Sequence, residues 1–174
     1  MRALGRLVGE AVFQALAATE GSAPYLRPPG AVPEPAFLLA CTRCGECVSA
    51  CPRGAIRLLP ASAGAAMGTP YIDPAQRACD LCGRCMPVCP TGALVPIADP
   101  RQVRMGAAVI DPVRCWAYQG RICDLCYHRC PLAEEALRME GGKPVVIRDA
   151  CTGCGLCAEV CVATPPAVQI HPGH

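Results

Sequence analysis

The chain has 174 residues, 17% of them charged, a formal net charge of +2 and only 4% aromatic residues. No basic run offers a nucleic-acid footprint, and two Phe, one Trp and four Tyr are too few for an ordinary core. A fold this poor in large side chains needs internal staples, and its sixteen cysteines are the obvious source.

Residues 1–20 contain no cysteine. Leu4, Leu7, Val8, Ala11, Val12, Ala15 and Leu16 recur at helical spacing, which predicts an N-terminal amphipathic helix with Arg6, Glu10 and Gln14 on or near its other side. The apolar run is too short for a transmembrane span. Glu10 and Gln14 interrupt it, and there is no twin arginine, so it reads poorly as an export signal. Residues 21–36, with Pro24, Pro28, Pro29, Gly30, Pro33 and Pro35, read as an extended linker. Residues 1–36 are therefore expected to stand apart from the cysteine-bearing remainder of the chain.

The first ligand-like group is Cys41, Cys44, Cys47 and Cys51, closed by Pro52. Its spacing, C-x2-C-x2-C-x3-C-P, is that of the bacterial [4Fe-4S] ligand run. A second group, Cys79, Cys82, Cys85 and Cys89 before Pro90, repeats it unchanged. In the third group, Cys115, Cys123, Cys126 and Cys130 before Pro131, the first interval widens to seven residues. The fourth is Cys151, Cys154, Cys157 and Cys161, with Val162 in place of the proline. Four groups use all sixteen cysteines, so the chain is an internal repeat. Disulfides would not call for repeated triplets. All-cysteine zinc sites, the stronger rival, pair two C-x2-C knuckles without the third cysteine or the Cys-Pro.

The repeat extends beyond the sulfurs. Gly54-Ala-Ile, Gly92-Ala-Leu, Glu135-Ala-Leu and Pro166-Ala-Val come after the four groups. Tyr71-Ile-Asp-Pro, Val109-Ile-Asp-Pro and Val145-Val-Ile-Arg-Asp precede the second, third and fourth. Each unit is thus a ligand loop, a short helical turn and a short β segment. Gly45, Gly83 and Gly155 come directly after the second cysteine, where a positive φ lets the backbone curl around a cluster. The expected fold class is α+β: two tandem two-cluster ferredoxin-like modules of short helices and β-hairpins, residues 37–100 and 101–174.

In the two-cluster plan the fourth cysteine of a run ligates the other cluster. Sequential pairing gives cluster one Cys41, Cys44, Cys47 and Cys89, and cluster two Cys79, Cys82, Cys85 and Cys51. Cluster three takes Cys115, Cys123, Cys126 and Cys161, and cluster four Cys151, Cys154, Cys157 and Cys130. A nested plan, joining group two to group three and group one to group four, stays open. With sixteen thiolates around four cubanes the holoprotein comes to about −6, and the apo chain is expected to be largely unfolded.

Other residues carry less. Trp116 and Tyr118 are expected to shield a cluster and fill core. His128 is expected to be solvated, because its group already has four sulfurs. His171 and His174 lie in the tail. Asp73 and Asp111 belong to Asp-Pro turns. No G-x-G-x-x-G or P-loop signals a nucleotide, and no catalytic constellation stands out. An iron–sulfur enzyme or maturation factor would need a group short of its fourth ligand, and none is. The expected function is electron transfer, with no small-molecule substrate.

The chain resembles the NapG/MauM ferredoxin-type proteins across about residues 26–172. The resemblance rests on Leu26-Arg-Pro-Pro-Gly-Ala31, Gly68-Thr-Pro-Tyr71, Arg104-Met-Gly106, the stretch from Cys115 to Pro131 and Asp149-Ala-Cys-Thr-Gly-Cys-Gly155. It implies four [4Fe-4S] clusters that pass electrons from a membrane-bound, quinol-oxidising ferredoxin-type partner to a terminal reductase. Two features depart from the pattern: group two keeps plain spacing, and no twin-arginine signal precedes the repeats. The expected location is accordingly cytoplasmic or membrane-associated, or periplasmic if an export signal lies upstream of the first residue.

Overall fold

A computed structural model describes residues 25–173. The N-terminal amphipathic helix expected over residues 4–16 lies outside the described residues. The elements are small because the repeats leave little chain between ligand loops. Four short helices, α1 (Glu34–Ala40), α2 (Glu46–Ser49), α3 (Leu125–Arg129) and α4 (Leu156–Glu159), are described. Six strands accompany them: β1 (Ile56–Leu58), β2 (Pro70–Ile72), β3 (Gly106–Ile110), β4 (Leu137–Glu140), β5 (Lys143–Val146) and β6 (Val168–Pro172). This is an α+β arrangement of small antiparallel sheets.

Three two-stranded sheets form, β1 with β2, β3 with β6, and β4 with β5. The β4–β5 pair is a hairpin turned at Gly141 and Gly142, which take φ of 55° and 78°. The β3–β6 ladder joins the beginning and end of the second half, with Gly106 opposite Pro172 and Ile110 opposite Val168. In the first half the corresponding closure is one bridge, Ala31 opposite Leu94. It is reinforced by Val32 N–H to Ala93 O at 3.1 Å and Val95 N–H to Gly30 O at 2.7 Å.

The Pro/Gly-rich stretch is extended, as its composition predicts, and it packs against the rest of the fold. Leu26, Arg27, Pro28 and Pro29 are buried, and α1 runs across the expected boundary at residue 36. The prolines hold the chain extended, and extended chain is what an edge bridge requires. Arg27 explains the burial of so polar a segment. Its guanidinium donates to both Glu34 carboxylate oxygens at 2.5 and 2.9 Å, to Thr69 Oγ1 at 2.9 Å and to Pro70 O at 2.8 Å. It also lies over Phe37, 4.7 Å from the ring centre. A buried charge persists only when paired and hydrogen-bonded in this way.

Side chains and sulfurs share the core. One apolar cluster collects Leu26, Phe37, Ile56, Ile72, Met86, Leu94 and Met105 with cysteines of both early groups. Two smaller clusters serve the second half, one around Ala108, Leu137 and Val168, the other around Ala117, Ala163 and Ala167. Phe37 is the only aromatic ring among the largest fully buried side chains.

Candidate metal centres

Each ligand loop is shaped by its local sequence. Gly45, Gly83 and Gly155 take φ of 81°, 73° and 85°, as their place after the second cysteine predicts. Gly45 and Gly155 then open α2 and α4, which turn Cys47 and Cys157 inward. Asp73 and Asp111 act as turn residues: Asp73 accepts from Ala75 N–H at 3.1 Å, and Asp111 accepts from Val113 N–H at 2.8 Å.

The loops gather sulfurs from different parts of the chain. One cavity is lined by Cys41, Cys44, Cys47 and Cys89. A second is lined by Cys115, Cys123, Cys126 and Cys161. A third is lined by Cys130, Cys151, Cys154 and Cys157. The remaining four are Cys51, Cys79, Cys82 and Cys85. Burial raises the Cys82 and Cys85 thiols first; Asp80 and then Cys51 add to it at Cys82, and Cys47, Cys82 and Cys51 add to it at Cys85.

All sixteen cysteines are free of disulfides. Among the described residues no three Cys, His, Asp or Glu side chains converge on one ion-sized point. Four sulfurs spread around a cavity suit a cage in which each thiolate takes its own corner.

Backbone N–H groups are aimed at the outlying sulfurs. Ala55 donates to Cys51 Sγ at 3.3 Å, Leu94 to Cys89 Sγ at 3.4 Å and Ala167 to Cys161 Sγ at 3.3 Å. Ala108 N–H reaches Cys151 Sγ at 3.5 Å, and Leu81 N–H reaches Cys79 Sγ at 3.4 Å. Such bonds favour thiolate over thiol. At Cys89 burial pushes the thiol up, but donors from Leu94, Thr91 and Ala93 outweigh it and leave the group below its ordinary value. Deeper sulfurs go the other way. Burial, with neighbouring thiols adding to it, pushes Cys79 and Cys85 up to about 12 and Cys47 and Cys126 up to about 11. A bare thiolate is disfavoured there, and a cationic iron core held by these cysteines would supply the missing counter-charge.

The side residues fall outside the quartets or at their edge. Trp116 lines the third-group cavity, with Arg121 stacked 5.1 Å from its ring centre. Tyr118 donates its hydroxyl to Pro144 O at 3.3 Å. His128 is exposed and pairs with Asp124 at 3.1 Å. Sequence reasoning passed over Arg27, Glu34, Arg53 and Glu159. The last two form an ion pair at 2.9 Å, and the only local sign was an arginine two residues after Cys51.

These features define a 4Fe-4S ferredoxin-type electron-transfer protein. A 4Fe-4S dicluster domain family matches residues 40–93 and again 78–133, and a second 4Fe-4S dicluster family matches residues 107–162. The chain is 42% identical over 162 residues to the ferredoxin-type protein NapG of Escherichia coli, covering 84% of this chain and 70% of that one. It is 40% identical over 167 residues to the methylamine utilization ferredoxin-type protein MauM of Methylorubrum extorquens, covering 89% and 76%. The MauM protein of Methylophilus methylotrophus is 39% identical over 178 residues, covering 95% and 78%. The chain belongs to the NapG/MauM family of ferredoxin-type proteins.

Proposed function

We propose that the chain carries four [4Fe-4S] clusters, wired sequentially in two modules at residues 37–100 and 101–174, and relays electrons between protein partners. The observation that carries this reading is the lining of the three cavities: in each, three cysteines come from one group and one from its sequence neighbour. The first cavity draws Cys89, and not a fourth-group cysteine, to Cys41, Cys44 and Cys47. Nested wiring would have required the reverse. When bound, each cluster supplies one-electron redox capacity with charge spread over iron and sulfur.

The chain's own residues do the rest. Cysteine thiolates anchor the corners. Backbone N–H groups from Ala55, Leu94 and Ala167 stabilise charge on the crossing sulfurs, the lever by which a protein sets potential. Trp116 and the loop behind it limit water at the third quartet. Cys44 and Cys82 are exposed, which brings the first and second quartets to the surface where a partner can approach.

The partners are a membrane-bound, quinol-oxidising ferredoxin-type donor and a terminal reductase, with this chain as an accessory subunit between them. No described helix is long and apolar enough to cross a membrane; the exposed surface at the first two quartets is where a membrane donor would dock. An anaerobic preparation should contain about sixteen iron and sixteen sulfide per chain and show a broad visible absorbance bleached by dithionite. Zinc without sulfide would overturn the reading. Cys89→Ser should damage the cluster of Cys41, Cys44 and Cys47 and spare the second half. Damage appearing in the second half instead would reinstate nested wiring.

A further inference from the structure

Order along the chain and adjacency in space differ for the four quartets. Cysteines of the first two quartets share one apolar cluster, and a single outsider joins them there: Cys154 of the fourth. The second apolar cluster holds Cys126 and Cys161 of the third quartet with Cys157, Cys130 and Cys151 of the fourth. The last contains Cys115, Cys123 and Cys161, all from the third. Among the described cysteines, those of the third quartet share a cluster with those of the fourth, and Cys154 of the fourth is the one that joins the first half.

That crossing is built closely. Cys79 N–H, in the second quartet, donates to Cys154 O at 2.9 Å. Arg53, two residues after Cys51, grips both carboxylate oxygens of Glu159 at 2.9 Å and donates to Ala78 O at 3.1 Å. Ala78 N–H reaches back to Glu159 at 3.3 Å. Gly155 completes the fit: a Cβ there would stand 2.5 Å from the Cβ of Pro74.

We propose that the quartets form one unbranched relay in the order first, second, fourth, third, with Arg53, Gly155 and Glu159 as positioning residues at its only crossing between halves. This rests on the four-cluster reading above. The ends are the quartet of Cys41, Cys44, Cys47 and Cys89 and that of Cys115, Cys123, Cys126 and Cys161. One electron enters at one end from a reduced redox protein and leaves at the other to an oxidised one; no proton or bond is exchanged. The chain's widened third group thus forms a terminus of the path, although it lies third along the sequence.

The test uses the full chain, reconstituted anaerobically, with iron and sulfide measured before dithionite reduction and EPR. Wild-type protein lacking iron or sulfide would defeat the cluster reading itself, independently of the order. Cys123→Ala, which removes an end, should leave the remaining clusters magnetically coupled. Cys151→Ala, which removes the interior fourth quartet, should release one uncoupled signal from the stranded third. The opposite pattern would overturn the order. Should either variant lose more than about a quarter of its iron, Gly155→Ala is compared with Gly142→Ala in the β4–β5 turn. Their φ values, 85° and 78°, impose similar strain, but the space beside Gly142 is open. Gly155→Ala should keep its iron and weaken coupling between halves at least about twofold, with Gly142→Ala unchanged. Identical spectra from the two would overturn the crossing.

Discussion

In the second half five residue pairs run unbroken from Gly106 opposite Pro172 to Ile110 opposite Val168. At the matching place in the first half the ladder shrinks to Ala31 opposite Leu94. The first half replaces the missing ladder with side chains: Arg27 tied to Glu34, Thr69 and Pro70, and Phe37 fully buried beneath it. One repeat unit can therefore be closed by main-chain pairing or by a single buried cation. The second solution concentrates stability in a few atoms, and that makes the first half the easier one to break.

The largest effect should come from removing iron. Chelation under reducing conditions should abolish cooperative folding, because cluster binding and folding free energy are coupled. Hydrogen exchange should show residues 25–100 losing protection before the β3–β6 ladder does. Simultaneous loss would erase the contrast between halves.

Next comes Arg27→Met. It strands the nearly buried Glu34 carboxylate, whose side chain is 11% exposed, at a cost of about 3–5 kcal/mol. Denaturant unfolding should report it, with iron lost from the first two quartets alone.

Gly30→Ala sharpens the same point. Gly30 has φ of 79°, and its new Cβ would lie 2.2 Å from Val95 O, on the bridge itself. Left-handed strain plus the clash should cost about 2–4 kcal/mol. Gly120→Ala, at φ of 83° with open space around it, should cost only about 1–2 kcal/mol. Equal midpoints for the two would mean that the bridge contributes nothing.

Arg101→Gln should do least. Its pair with Glu135, at 3.2 Å, leaves side chains 62% and 52% exposed, and such pairs are worth less than about 1 kcal/mol.

The cysteine groups and their glycines were readable because ligation and positive φ are local demands, met within a dozen residues. The β segments before Asp-Pro were readable for the same reason: β3 and β2 lie where β-branched residues and a turn coincide. Arg27 was not readable. Its partners Thr69 and Pro70 are 42 and 43 residues away, and proline-rich composition says that a segment is extended without saying what it lies against. Glu159 was hidden in the same way, 106 residues from Arg53. Composition changes at residue 36, while α1 runs through that position.

Three sulfurs that cross between neighbouring groups, those of Cys51, Cys89 and Cys161, are met by peptide nitrogens of Ala55, Leu94 and Ala167. A main-chain donor persists through nearly every substitution at its own position. Side chains at these three positions can therefore change without loss of the donor, and only proline there would remove it outright.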